Sequence, residues 1–144
     1  MTETVKLVID QQNVECEKDL TILQAAQAIG IDIPTICYHE YCTANALCRI
    51  CVVEVKGART LIPSCVAKVS EGMEVETHNA RVNRSRKTIL EMMLSTSDLS
   101  QSPELLEMAS EYGADHHRFT DAERRDPPLI DDNSMFVRDY EKCI

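Results

Sequence analysis

Cysteine is the residue type in this 144-residue chain best suited to chemistry. It occurs at Cys16, Cys37, Cys42, Cys48, Cys51, Cys65 and Cys143, and four of these lie in "CYHEYCTANALCRIC" at 37–51. Thiolates are soft ligands that hold zinc ions or iron–sulfur clusters, commonly four to a centre. Cys48 and Cys51 form a C-x2-C pair, whose short spacer turns both sulfurs toward one metal with the intervening amides pointing at them. Cys65 follows after thirteen residues and Cys37 precedes Cys48 by ten, so the series reads C-x10-C-x2-C-x13-C.

Two metal chemistries compete for this series. A zinc site of four cysteines favours two short-spaced pairs, and Cys37 with Cys42 would supply a C-x4-C while leaving Cys65 spare. An iron–sulfur cluster accepts one loop that wraps most of it and a single distant cysteine that closes it. A cluster also needs backbone N–H groups aimed at sulfur, which small residues such as "TANA" at 43–46 can offer. Spacing alone leaves both open. A disulfide framework is disfavoured, because the cysteine count is odd and the start "MTETVKLVID" lacks the basic and apolar regions of a secretion signal. No apolar run approaches a membrane span, so the cytoplasm is the expected location.

The elements that must position these cysteines can be read from periodicity. "TVKLVIDQQNVECEKD" predicts a β-hairpin with Val5, Leu7 and Ile9 on one face, and Cys16 as a small buried strand residue. "DLTILQAAQAIG" predicts a helix capped by Asp19 and stopped by Gly30. "CVVEVKG", "RTLIPSCV" and "GMEVETH" are short strand candidates. "NARVNRSRKTILEMMLS" predicts an amphipathic helix with Val82, Arg86, Ile89 and Met93 in line and Leu90 and Leu94 beside them. Its basic first half opposes the helix dipole, which points to other partners for those side chains. "SPELLEMASEYG" predicts a second helix, capped by Ser102, with Pro103 at its first position and Gly113 after its end. The remainder, with two adjacent prolines and many charges, reads as an extended arm.

Residues 1–78 carry eleven acids and six bases, residues 79–110 four of each, and residues 111–144 nine acids and five bases, summing to a net charge of −9. That balance argues against nucleic acid as a partner. The chain has only four glycines and no phosphate-binding loop, flavin fingerprint or nucleophile–base pair, so no substrate turnover by this chain alone is expected. His39, His78, His116 and His117 read as surface or supporting residues, since a Rieske-type centre requires two histidines with two cysteines in one site. Arg49, inside the C-x2-C, has two open readings, a positive charge beside the metal or a surface ion pair.

The stretch from "TILQAAQAIG" to "EGMEV" resembles a known redox family over about sixty residues, in "IPT-x-CYH", "CR-x-C-x-VEV", "PSC" and "EGM-x-V". The family is the N-terminal [2Fe–2S] domain of the complex I large iron–sulfur subunit, the diaphorase subunit of NAD-reducing hydrogenases, iron-only hydrogenases and NAD-dependent formate dehydrogenases. The resemblance implies an α+β, β-grasp [2Fe–2S] ferredoxin-like domain at 1–78, a helical extension at 79–113 and an arm at 114–144. It implies Cys37, Cys48, Cys51 and Cys65 as ligands of a [2Fe–2S] cluster, with Cys42 a loop residue. The expected role is one-electron transfer within a larger oxidoreductase, with flavin- or NAD(H)-binding and other redox subunits as partners and no transmembrane segment. A zinc-stabilised interaction domain is the alternative.

The departures from the family pattern are specific. Ala46 stands where the family often has Gly, which predicts a slightly different loop path. "STSDLSQSPELLEMASEYG" lacks the one histidine and three cysteines that bind a [4Fe–4S] cluster in complex I relatives. "FVRDYEKCI" resembles the entrance to a bacterial-type [4Fe–4S] module, yet Cys143 is its only cysteine, so the chain is expected to be a shortened relative of a longer protein.

Overall fold

The structure, a computed structural model, describes residues 3–124 and 126–143. The chain forms two compact units, one up to Arg86 and one from Lys87. In the first unit, β1 (Thr4–Ile9) and β2 (Gln12–Glu17) form the expected antiparallel hairpin, with Val5 opposite Cys16 and Leu7 opposite Val14. Its two-residue turn places Asp10 and Gln11 in the left-handed region (φ 46° and 67°), the geometry whose twist matches a tight hairpin. Both Asp10 carboxylate oxygens receive hydrogen bonds from Thr77, one from the amide at 2.8 Å and one from the hydroxyl.

Three further strands complete a mixed sheet: β3 (Val52–Val55), β4 (Ile62–Pro63) and β5 (Glu74–Glu76), in the order β2-β1-β5-β3-β4. Strand β5 pairs parallel to β1 and antiparallel to β3. Alternation along β1 sends Val5, Leu7 and Ile9 inward, where they join Ile22, Leu23, Ala25 and Ala26 of α1 (Ile22–Ala28) in one core. A sheet packed on one helix in this order is the ferredoxin-like β-grasp arrangement.

Helix α1 is not capped by Asp19. Thr21 is its N-cap, with its hydroxyl accepting from the Gln24 amide at 3.2 Å while the Gln24 side chain accepts from the Thr21 amide at 2.9 Å. This reciprocal capping box satisfies two helix-end donors where Asp19 would satisfy one, and Asp19 instead pairs with Lys68 at 3.0 Å. Two more orphan amides of the first turn, Ile22 and Leu23, donate to the carbonyls of Ala67 and Ser64. Cys16 is only partly buried. It packs at the margin of the core, and burial raises its thiol, with the nearby Glu17 adding to the effect.

Helix α2 (Ala80–Thr96) begins in the first unit. The fully buried positions along it are Val82, Arg86 and Leu90, with Glu91 almost so, whereas Ile89, Met93 and Leu94 are only partly covered. In the second unit, Glu91 accepts from Arg118 at 2.7 Å, and Lys87 lies 3.8 Å away. Helix α3 (Pro103–Glu111) starts after Ser102, which makes no side-chain cap bond. Its carbonyl accepts from the Leu105 and Leu106 amides. The arm beyond α3 is largely irregular, with one antiparallel bridge between Ile130 and Arg138 and a single 3-10 turn at Tyr140–Lys142. That turn is held by Lys142 pairing with Asp98 and by the Glu141 carbonyl, which accepts from the Asp98 amide at 3.1 Å. No helix among the described residues is long and apolar enough to cross a membrane.

Candidate metal centre

Between the end of α1 and β3 the chain runs from 31 to 51 without regular secondary structure. Gly30 (φ 77°) ends the helix, and Ile33, Ala46 and Ile50 anchor the loop by burying their side chains. Cys37 and Cys48 are half-buried, while Cys51 and Cys65 are 1% and 2% exposed. Cys65 sits beside Ser64 and Ala67, whose carbonyls take the first amides of α1, so the helix start fixes the closing cysteine.

The loop gathers Cys37, Cys48, Cys51 and Cys65 in one place. The Cys48 amide donates to the Cys37 sulfur at 3.4 Å. Burial alone would raise the Cys48 thiol. Hydrogen bonds from the amides of Ile50, Cys37 and Ile36 and from the Cys37 side chain outweigh it, and the thiol lies below its usual range. Cys65 is the opposite case. Burial, its hydrogen bond with Cys51 and the neighbouring Cys51 and Cys37 sulfurs push it up to about 12, against the Ala46 amide that donates to it. A nearby cation would offset this penalty and favour the Cys65 thiolate.

Cys37 neighbours both Cys48 and Cys65, and Cys51 neighbours Cys65. The one group of three His, Cys, Asp or Glu ligand atoms within 4.8 Å among the described residues is the exposed Asp115, His116 and His117, so no three cysteine sulfurs are that close. A tetrahedral zinc with bonds of ~2.3 Å would draw four sulfurs to roughly 3.8 Å separations. Four neighbouring sulfurs, with amides of Ile36, Cys37, Ala46 and Ile50 aimed at them, suit a thiolate-bound centre such as an iron–sulfur cluster.

The remaining expected residues fall outside this set. Cys42 is exposed, and its amide donates to the His39 carbonyl at 3.0 Å. His39 accepts from the Tyr41 amide at 3.3 Å, and its ring lies 5.4 Å from that of Tyr41. His78 shares a hydrogen bond with the Thr77 hydroxyl at 2.8 Å. Arg49 is exposed at φ 60° and forms no ion pair among the described residues, which leaves the ion-pair reading without support. Ala46 takes the left-handed conformation, at φ 55°, that glycine would adopt most easily, so the loop carries backbone strain there.

The sequence pattern passed over Ser64 and placed Arg86 in line with Val82 and Ile89 without showing what it bonds to. Ser64 is fully buried, and both its hydroxyl (2.7 Å) and its amide (3.2 Å) donate to the carbonyl of Cys51. Arg86 is fully buried and donates to the carbonyls of Ile50 at 3.0 Å and Val52 at 2.9 Å. Arg81 likewise leaves its own helix to reach Glu54 and the Arg59 carbonyl. Their positions against the dipole of α2 were the available signal.

Residues 2–80 match the family described as "2Fe-2S iron-sulfur cluster binding domain". The chain is 36% identical over 127 residues to an NADH-quinone oxidoreductase subunit of Rhizobium meliloti (strain 1021), a match covering 83% of this chain and 15% of that protein. It is 36% identical over 150 aligned positions to the NADP-reducing hydrogenase subunit HndD of Solidesulfovibrio fructosivorans, covering 96% of this chain and 26% of that one. Among solved structures, a chain of an NAD+-reducing [NiFe]-hydrogenase in the H2-reduced state superimposes with a TM-score of 0.82 over 97% of this chain and 62% of its own length. At 24% identity that likeness supports the fold.

Proposed function

This chain belongs to the 2Fe-2S iron-sulfur cluster binding domain family, and on that premise we propose that it is a one-electron carrier with Cys37, Cys48, Cys51 and Cys65 as the cluster ligands. What supports the assignment is that these four cysteines lie together in the segment matched by the cluster-binding family, with the Cys48 amide donating to the Cys37 sulfur at 3.4 Å. A bound [2Fe–2S] cluster supplies reversible one-electron chemistry, at about −400 mV for all-cysteine ligation of the plant type. The protein's part is to hold geometry and charge. The amides of Ile36, Cys37, Ala46 and Ile50 favour thiolate over thiol, and the burial of Cys51 and Cys65 keeps water from one half of the site. The half-buried Cys37 and Cys48 make the other half the side from which an electron enters or leaves.

The chain spans about a quarter or less of the two curated relatives described above. Their names place nicotinamide and quinone or hydrogen chemistry in the larger proteins. We place this chain between a flavin- or NAD(H)-binding subunit and a further redox centre, with no substrate chemistry of its own. The competing reading, a zinc-stabilised interaction domain, is disfavoured by the match of residues 2–80 to the 2Fe-2S cluster binding family. Anaerobic purification separates the two. The expected result is a brown protein with two irons and two labile sulfides per chain and a rhombic EPR signal on reduction. A colourless protein carrying one zinc overturns the proposal.

A further inference from the structure

Three consecutive carbonyls around Cys51 are tied down by buried side chains. Arg86 takes those of Ile50 and Val52, and Ser64 takes that of Cys51 itself. A carbonyl buried beside a metal loop needs a donor, because an unsatisfied one costs about 1–3 kcal/mol. A guanidinium suits this place, since its planar fork reaches two acceptors two residues apart, which a single ammonium does less rigidly. Arg86 stands on α2, beyond residue 80, where the match to the cluster-binding family ends. The loop has a further source of strain at φ 60° on Arg49, two residues before Cys51, and a strained segment holds only when its surroundings fix it.

We infer that Arg86 is a positioning residue of the cluster site: from helix α2 it clamps the chain on both sides of Cys51, so the working site includes a side chain outside the cluster-binding segment proper. The inference rests on the proposed cluster reading. Arg86 touches no reacting atom. Its effect passes through the orientation of the Cys51 sulfur and the order of the amides around it.

The test uses the full chain, loaded with iron and sulfide, in the variants Arg86→Met and Arg86→Lys, with Glu91→Gln as a control for loss of a buried polar side chain elsewhere on α2. The measurements are iron content, the visible circular dichroism and EPR line shape of the cluster, and the rate of bleaching by an iron chelator. Arg86→Met should bleach at least tenfold faster than the parent with an altered line shape. Arg86→Lys should fall between them, and Glu91→Gln should match the parent. If Arg86→Met does not fold, Arg86→Lys against Glu91→Gln decides the matter. Arg86 variants that keep the parent's line shape and bleach within twofold of its rate overturn the inference, as does a Glu91→Gln variant altered as much as they are. A parent chain that takes up no [2Fe–2S] cluster fails the cluster reading itself, which is a separable result.

Discussion

A thiol that becomes a ligand must first lose its proton, and the two kinds of cysteine in this site meet that demand differently. Cys48 has its thiolate favoured by three amides, whereas burial and the neighbouring sulfurs favour the thiol form of Cys65. Cys42, in the loop before Cys48, is exposed and lies outside these contacts. Cys42→Ser should therefore retain the full iron content and visible spectrum. Cys48→Ser should lose the cluster or strongly shift its spectrum, because it removes the sulfur best prepared to bind. Iron analysis and absorption spectra of the two variants check both outcomes, and loss of the cluster in Cys42→Ser with retention in Cys37→Ser would show that the ligand set is wrong. At this scale the sequence pointed to the segment where Cys37, Cys48, Cys51 and Cys65 come together and to the special place of Ala46. The left-handed φ of Ala46 was not legible there, because alanine adopts it only when neighbours impose it.

Among the elements, α1 illustrates how a cap does more than end a helix. Its Thr21–Gln24 box fixes the first turn, and the amides that follow hold Ser64 and Ala67 on either side of Cys65. Thr21→Ala removes the hydroxyl that accepts from the Gln24 amide and should lower stability by about 1 kcal/mol. Denaturant unfolding at constant m-value checks the magnitude, and an unchanged midpoint would show that the Ser64 and Ala67 carbonyls suffice to hold the helix start. The T-x-x-Q signature is present in the sequence. Asp19 competes with it there because aspartate also caps well, and choosing between neighbouring caps requires knowing where the chain turns. Helix α2 teaches a related lesson. Its period placed Arg86 in line with Val82, and that position is buried, but the carbonyls of Ile50 and Val52 that satisfy the guanidinium are visible only in the fold.

For the whole molecule, composition carries its own prediction. With four glycines and no phosphate-cradling loop, the chain has no motif for a nicotinamide cofactor. NADH added to the oxidised, cluster-loaded chain should leave its visible spectrum unchanged, while dithionite should bleach it. Bleaching by NADH alone would contradict the assignment of this chain as a relay without substrate chemistry. The division into two compact units falls between Arg86 and Lys87, inside helix α2, whose start the change in hydrophobic period marks. Period registers where a helix starts. It does not register that the helix's first turns, through Arg81 and Arg86, are bonded to strand β3 and the residues beside it.

The amino-acid sequence by itself determined the order of the fold and the spacing of the cysteines, because cysteine spacing, strand alternation and helix period are local properties written into neighbouring residues. Only the tertiary structure decided that Cys51 and Cys65 are buried while Cys37 and Cys48 are half-covered, and that Ser64 and Arg86 secure the Cys51 segment. Those features depend on residues 13 to 36 positions apart meeting in space, and no local pattern encodes a meeting that the folded sheet and its helices bring about.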